Sequence, residues 1–164
     1  MLITIIALST ILAMLIHELG HLAAARACGV TASELSLGLG TKLCGFQIGS
    51  IRYNLRLLPL GSFIRLNTSE LHSKPLSQQL IVHLGGVFVN LVAASAAFGT
   101  VFGWINLLLA FANLLPIYQH DGWKCGVAFI RALLGRRSSP VEWTLTFSGA
   151  VISLVLLMFV RQSM

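Results

Sequence analysis

The residues best suited to chemistry are His17, Glu18 and His21, which form an H-E-x-x-H pattern in an otherwise apolar segment. On a helix, residues four positions apart lie on the same face, so both imidazoles could reach one metal ion. Glu18 lies one position further round, where its carboxylate could accept a proton from water activated by that metal. The pattern predicts a zinc-dependent hydrolytic centre with His17 and His21 as ligands and Glu18 as the general base.

The composition indicates which elements must hold these residues. Of the 164 residues, 56% are hydrophobic and only 10% are charged, whereas a soluble domain carries about 25% charged residues. We therefore expect an all-α polytopic membrane protein with one domain over residues 1–164. A membrane span needs about 20 apolar residues, and four segments approach that length. The expected spans are residues 2–25, 78–98, 102–118 and 141–160.

The basic residues predict the orientation of these spans. Six of the eleven lysines and arginines lie in residues 26–74, and four lie in residues 124–137. The positive-inside bias places both segments on the cytosolic side of a bacterial plasma membrane, with both termini outside. The same charges would contact anionic lipids. Nucleic acid is not an expected partner, because no basic stripe carries interleaved aromatic residues.

The depth of the motif suggests where a third ligand must come from. From Leu2 to His21 a helix rises about 29 Å at about 1.5 Å per residue, which puts the metal in the cytosolic third of the bilayer. A catalytic zinc ion usually has three protein ligands. Asp121 follows the third apolar segment, and Pro116 should end that helix and leave Asp121 on a turn at the same depth. Asp121 is the predicted third ligand.

Residues 34–66 predict a small β region at the membrane surface between the first and second spans. Apolar and polar side chains alternate there with a period of two, interrupted by glycines. Arg52 to Arg65 is the segment that could bind an unwound peptide by pairing along a strand edge. A structural hairpin that covers the bundle is the alternative. At the same surface, residues 123–134 predict a short amphipathic helix.

Together these stretches resemble the site-2 protease family of intramembrane zinc metalloproteases. The H-E-x-x-H run matches the zinc motif of that family. Asn113-Leu-Leu-Pro116 with Asp121-Gly122 matches its second motif, and residues 58–63 and the G-x-x-x-N element of residues 86–90 resemble two further stretches. The matched stretches lie within residues 15–125.

The resemblance implies one Zn²⁺ per chain held by His17, His21 and Asp121, with Glu18 as the general base. It also implies that Asn113 and Asn90 hold the substrate backbone or the oxyanion, as an amide donor near the metal could. The alternative for Asn90 is packing between helices. Further substrate-binding residues are expected in the β region: Arg52, Tyr53, Leu55 and Gly61.

The chain departs from the family pattern next to the aspartate. His120 stands where an apolar residue is usual, and Trp123 stands where a second glycine is usual. His120 could compete as a ligand or cap a backbone carbonyl. His83, in the second predicted span, could touch the site or serve as a packing residue. At this length we expect a minimal member without a PDZ or CBS domain.

The expected function is an intramembrane zinc metalloendopeptidase that cleaves membrane-spanning proteins or peptides near the cytosolic side. One alternative is a catalytically silent membrane scaffold of the same fold that binds substrates without cutting them. A second is a metal transporter, which would need polar residues along a path to the outer face. The sequence predicts neither the identity of the substrate nor the oligomeric state.

Overall fold

A computed structural model describes residues 1–134 and 139–162. The fold is mostly helical, as predicted, with one small sheet between the first two long helices. In chain order the elements are α1 (Leu2–Ala27), β1 (Ala32–Ile48), β2 (Ile51–Leu66), α2 (Thr68–Ser73), α3 (Leu76–Ala96), α4 (Val101–Leu114), α5 (Asp121–Leu134) and α6 (Ser139–Gln162).

Two of the described helices, α1 and α3, are long and apolar enough to cross a membrane. They correspond to the first two predicted spans. The third and fourth are represented by shorter apolar helical segments, Val101–Leu114 and Thr146–Val155. Crossing of the membrane four times therefore stays a prediction.

The third predicted span ends earlier than residue 118 because of Pro116. The residue before a proline is pushed out of the helical region, and Leu115 accordingly has an extended ψ of 143°. Gln119 then adopts a positive φ of 75°, a conformation that is uncommon for a residue other than glycine. These residues turn the chain so that α5 begins at Asp121, two residues before the predicted start of this helix.

Helices α1 and α3 cross at a pair of glycines. A Cβ atom at Gly20 would lie 2.5 Å from the carbonyl oxygen of Gly85, and one at Gly85 would lie 2.7 Å from that of Gly20. Only residues without a side chain allow this backbone approach. The crossing lies one residue before His21, so it brings the histidine face of α1 against α3.

Strands β1 and β2 form one antiparallel sheet whose strands fold back on themselves. Leu35 of β1 is paired with both Ile64 and Tyr53 of β2, so the first half of β1 lies between the two ends of β2. Tyr53 is also paired with Phe46, and the two rings stack with centroids 5.3 Å apart. The predicted β region of residues 34–66 thus exists, but its register depends on these bends.

The register narrows the edge-pairing prediction made for residues 52–65. Arg52, Tyr53 and Leu55 each have a register partner on both sides. The physical reason is that residues 44–48 fold back along them. Residues 62–66, by contrast, are paired with β1 on one side only, so the available edge lies at the end of β2.

The inner part of the sheet packs against α1. Leu22 of α1 and three residues of the sheet, Ala32, Leu35 and Ile51, form a buried apolar cluster. The outer part of β1, residues 39–48, is exposed along its whole length. The sheet is therefore anchored on the helix that carries the H-E-x-x-H motif.

Helix α6 meets the rest of the fold near the start of α5. The Trp123 ring lies against Gly149, leaving no space for a side chain there, and the Tyr118 amide donates a hydrogen bond to Ser153 Oγ at 2.9 Å. Trp123, the departure from the family pattern, therefore serves as a packing residue for α6.

Candidate metal centre

The histidines of α1 and the aspartate of α5 converge on one point. His17 Nε2 and His21 Nε2 are 3.2 Å apart, and each lies 3.1 Å from Asp121 Oδ2. All three side chains are buried. The structure therefore brings together the three predicted ligands, although 100 residues separate His21 from Asp121.

A backbone contact fixes which nitrogen of His21 faces this point. His21 Nδ1 lies 2.8 Å from the carbonyl oxygen of Val82 on α3. A carbonyl can only accept a hydrogen bond, so Nδ1 is the protonated nitrogen and donates it. The lone pair of Nε2 is consequently directed toward His17 and Asp121, as a metal ligand requires.

The arrangement fits a zinc ion on two physical grounds. The Nε2 lone pair of His21 and the oxygen of a carboxylate repel each other at 3.1 Å unless a cation or a proton lies between them. In a tetrahedral zinc site with bonds of about 2.0–2.1 Å, two ligand atoms are about 3.3 Å apart. The observed separations of 3.1–3.2 Å are close to that value.

The second oxygen of Asp121 is held by a lysine one turn along α5. Lys124 Nζ donates to Asp121 Oδ1 at 3.0 Å. Burial alone would raise the pKa of Asp121, but hydrogen bonds from His17 and His21, when these carry the proton that a cation would replace, and the charge of Lys124 hold that pKa well below the usual range. The carboxylate is therefore ionised and can bind a cation through the oxygen that Lys124 leaves free.

Cys125 lies one helical turn after Asp121, and burial together with the negative charge of Asp121 raises the pKa of its thiol to about 11. Among the described residues, the side chains whose ligand atoms converge within 4.8 Å are His17, His21 and Asp121, and Cys125 is not one of them.

Gly86 of α3 completes the wall of the centre. A Cβ atom there would lie 2.6 Å from His21 Nε2 and 2.7 Å from His17 Nε2. Such distances are shorter than any stable contact, so a side chain at this position would displace the imidazoles. The missing side chain is what allows both rings to point at Asp121.

Glu18 lies beside the centre without touching the three ligand atoms. It is 6% exposed, and its Oε1 accepts a hydrogen bond of 2.8 Å from Ser62 Oγ on β2. Glu18 lines the same cavity as the three predicted ligands, and its role as general base stays a prediction.

A cavity of about 510 Å³ opens onto the centre. This volume lies within the range of ordinary ligand pockets, about 300–1,000 Å³. The cavity is bounded by both carboxylates, by the end of β2 (residues 62–66), and by the turn before α5. Three residues weighed from the sequence also line it: Asn113, His83 and His120.

The two predicted asparagines are placed differently. Asn113 lines the cavity, and its amide donates to the carbonyl oxygen of Leu109 at 2.9 Å. Asn90 is fully buried between helices, does not line the cavity, and lies 3.5 Å from the Ala13 carbonyl oxygen of α1. The structure thus brings Asn113 to the centre and leaves Asn90 in an interhelical contact.

The predicted substrate-binding residues of the sheet lie away from the metal centre. None of the four, Arg52, Tyr53, Leu55 and Gly61, lines its cavity. Tyr53 and Leu55 border a smaller apolar pocket of about 190 Å³ against Leu15 of α1. Gly61 packs beside the Leu39 side chain.

Several contributors to the centre were not identified from the sequence. Ser62 and Gly86 lay inside the stretches that carry the family resemblance, but no role was assigned to them. Lys124 was counted only as a charge. Each of these residues lies in or near a recognised motif, but that position does not predict which atoms the residue contacts.

Comparison with known proteins agrees with this geometry. The family model described as "Peptidase family M50" matches residues 3–102. A protein of Clostridium perfringens is 36% identical over 93 residues, which cover 52% of this chain and 28% of that protein. One of Synechocystis is 32% identical over 120 residues, covering 65% and 32%. One of Helicobacter pylori is 33% identical over 92 residues, covering 48% and 26%.

All three relatives carry the name "putative zinc metalloprotease". This chain spans about a third or less of their length. The family model, by contrast, covers well over half of the chain and includes α1 with its H-E-x-x-H motif. The chain therefore belongs to peptidase family M50, which confirms the resemblance to the site-2 proteases.

Proposed function

We propose that this protein is an intramembrane zinc metalloendopeptidase that cleaves membrane-spanning substrates near the cytosolic side. The single observation that carries the proposal is the convergence of His17, His21 and Asp121 within 3.2 Å of one another. His17 and His21 lie on α1, a helix long enough to cross a membrane, Asp121 begins α5, and Glu18 lines the same cavity. Residues 1–164 would act as one catalytic domain.

One zinc ion per chain would be held by His17 Nε2, His21 Nε2 and Asp121 Oδ2. When bound, zinc polarises a carbonyl group and makes water a stronger acid at neutral pH. The residues around it set the geometry, because the Val82 carbonyl orients His21 and Lys124 holds the outer oxygen of Asp121.

Glu18 would move the proton. Its Oε1 is engaged by Ser62, which leaves Oε2 to accept a proton from the attacking water. The same carboxyl group then donates that proton to the nitrogen of the departing amine, so the peptide C–N bond breaks after the new C–O bond has formed. Glu18 ends the cycle as the ionised carboxylate with which it began.

The substrate would be bound along the end of β2. A transmembrane helix hides its peptide bonds in internal hydrogen bonds, so it must unwind before it can be cut. Residues 62–66 have a free edge and also line the cavity, and an extended peptide can pair with such an edge. Asn113, which lines the same cavity, would contact the peptide backbone. The assignment of Asn90, Arg52, Tyr53, Leu55 and Gly61 as further substrate-binding residues stays a prediction, and none of them lines this cavity.

The orientation in the membrane follows from the basic segments. We place the sheet and the metal centre toward the cytosol and both termini outside, in a bacterial plasma membrane. Cys44 is exposed on the sheet. In a variant with Cys28 and Cys125 changed to serine, a membrane-impermeant maleimide should label Cys44 in inside-out vesicles and not in intact cells. Labelling in intact cells alone would contradict this orientation.

The decisive test is the Glu18→Gln variant. A glutamine side chain cannot accept the proton but leaves the three ligands unchanged, so the purified variant should bind zinc as the wild type does and lose cleavage. The assay is proteolysis of a model single-span protein in detergent or liposomes, with a chelator-treated wild type as control. Cleavage by the variant at the wild-type rate would refute the mechanism.

The same purified material separates the two rivals. A silent scaffold would bind the substrate protein and show no turnover even with a full complement of zinc. A transporter would carry zinc into proteoliposomes, whereas a protease should show no zinc flux above that of empty vesicles.

A further inference from the structure

The general base and the substrate edge are joined by one hydrogen bond. Ser62 Oγ lies 2.8 Å from Glu18 Oε1 and 3.5 Å from the Met14 carbonyl oxygen. A hydroxyl group has one proton to give, and the contact of 2.8 Å is within the usual hydrogen-bond range whereas that of 3.5 Å is not. Ser62 therefore donates its hydroxyl proton in a hydrogen bond to Glu18 Oε1.

This bond restrains a side chain that would otherwise be free to rotate. A glutamate has several rotatable side-chain bonds, and among the described residues Ser62 is the donor that contacts the Glu18 carboxylate. Catalytic efficiency depends on reacting groups being held close to their productive geometry. A fixed Oε1 determines where Oε2, the oxygen left for proton transfer, can lie.

We propose that Ser62 is a positioning residue for the general base, and that it makes the position of Glu18 depend on the strand that borders the cavity. The inference rests on the proposed function, because it assigns Ser62 a role through Glu18. It goes further in linking the edge of residues 62–66 to the catalytic carboxylate through one hydroxyl group.

The hydrogen bond between Ser62 and Glu18 affects when the base becomes aligned relative to substrate binding. Ser62 belongs to the segment of β2 that is paired on one side only. Pairing of a peptide on the free side would restrain this segment and, through the hydroxyl, the Glu18 carboxylate. Substrate binding and alignment of the base would then occur together.

The test compares Ser62→Ala with Ser62→Thr in the purified, zinc-loaded protein. Alanine removes the hydroxyl and threonine retains it on a residue that strands accept readily. We expect Ser62→Ala to lower kcat by about tenfold to a hundredfold, with KM and zinc affinity within about twofold of the wild-type values. Ser62→Thr should recover most of kcat.

A matched control removes a hydroxyl elsewhere in the same sheet. Ser33 is exposed, and its Oγ makes a long contact of 3.4 Å with the Arg65 carbonyl oxygen. Ser33→Ala should keep the wild-type kcat. Thermal midpoint and zinc affinity are measured on all variants, so a loss of folding is seen directly.

Two results would overturn the inference. One is a Ser62→Ala kcat within about twofold of the wild type. The other is a loss of kcat that accompanies an equal loss of zinc affinity or thermal stability, since that would indicate a structural role only. Both differ from failure of the proposed function, in which Glu18→Gln itself would still cleave.

Discussion

Two buried carboxylates, Asp121 at the metal centre and Glu34 in the sheet, are almost equally hidden, with 1% and 5% of their surfaces exposed. Their partners differ. Glu34 accepts hydrogen bonds from Asn54 at 2.8 Å and Arg56 at 3.0 Å, and pairs with Arg65 at 3.7 Å. The sheet therefore supplies Glu34 with permanent cations of its own.

Among the described residues, Asp121 has a permanently charged partner, Lys124, at one of its two carboxylate oxygens. Lys124 contacts Oδ1, whereas Oδ2 faces two imidazoles, of which His21 directs a lone pair toward it. Burial alone therefore does not identify a functional carboxylate. The charge of Glu34 is balanced by arginines of the sheet, whereas Oδ2 of Asp121 belongs to a group of side chains that could hold a metal ion.

The largest effect is expected when each of the two carboxylates is neutralised in turn. Asp121→Asn removes a charged ligand, and we expect zinc affinity to fall by more than about a hundredfold, beyond the effect of losing an outer partner. Glu34→Gln should leave zinc affinity unchanged. Competition with a chromogenic chelator measures both. Equal losses in the two variants would mean that the carboxylates do not differ in role.

The next largest effect should come from Gly86→Ala. The added methyl group would fall within 2.7 Å of both ligand nitrogens, so the imidazoles must move. We expect zinc binding to be lost and the free energy of unfolding to drop by about 1–3 kcal/mol. Gly126→Ala is the control, because a Cβ there meets nothing within 4 Å. A Gly86→Ala protein with normal zinc affinity would contradict the described packing.

The Glu34 cluster predicts a pH dependence of stability. Burial would raise the pKa of Glu34, but hydrogen bonds from Asn54 and Arg56 and the nearby arginine charges lower it below its ordinary value of 4.5. Its stabilising effect is therefore complete above pH 4.5 and declines as the pH falls toward the lowered value.

Thermal unfolding in detergent from about pH 7 to about pH 3 tests this dependence. Glu34→Gln should cost about 1–2 kcal/mol near neutral pH, and its difference from the wild type should shrink at acid pH. A difference that stays constant over the whole range would show that the Glu34 charge is not responsible.

The smallest effect is expected for Arg65→Gln. The Arg65 side chain is 62% exposed and lies 3.7 Å from Glu34, a geometry in which ion pairs contribute about 0–1 kcal/mol. The thermal midpoint should therefore change little. A loss as large as that of Glu34→Gln would mean that Arg65, and not Arg56, is the main partner.

The convergence of His17, His21 and Asp121 could be predicted because each one belongs to a short, recognisable stretch of sequence. The spacing of His17 and His21 is set by one helical turn, and Asp121 could be found from the depth of the proline break that precedes it. The contacts of Ser62 and Gly86 could not be predicted, because they depend on how β2 lies against α1 and how closely α1 crosses α3.

The sheet register was unpredictable for a similar reason. Alternating side chains indicated strands in residues 34–66, but alternation does not say which strands are neighbours. The bends that place Tyr53 between Leu35 and Phe46 move the free edge to residues 62–66. The start of α5 was missed by two residues because Asp121 was assigned to the preceding turn.

The hydrogen bond between His21 and Val82 affects how mutagenesis of this protein must be designed. The acceptor is a main-chain carbonyl oxygen, so every amino acid at position 82 supplies it. Val82 is also a buried core residue, so Val82→Ala would report lost packing while the contact that orients a ligand persists. Replacing the Val82–His83 peptide bond by an ester, which weakens that carbonyl as an acceptor, is the kind of change that would reveal it.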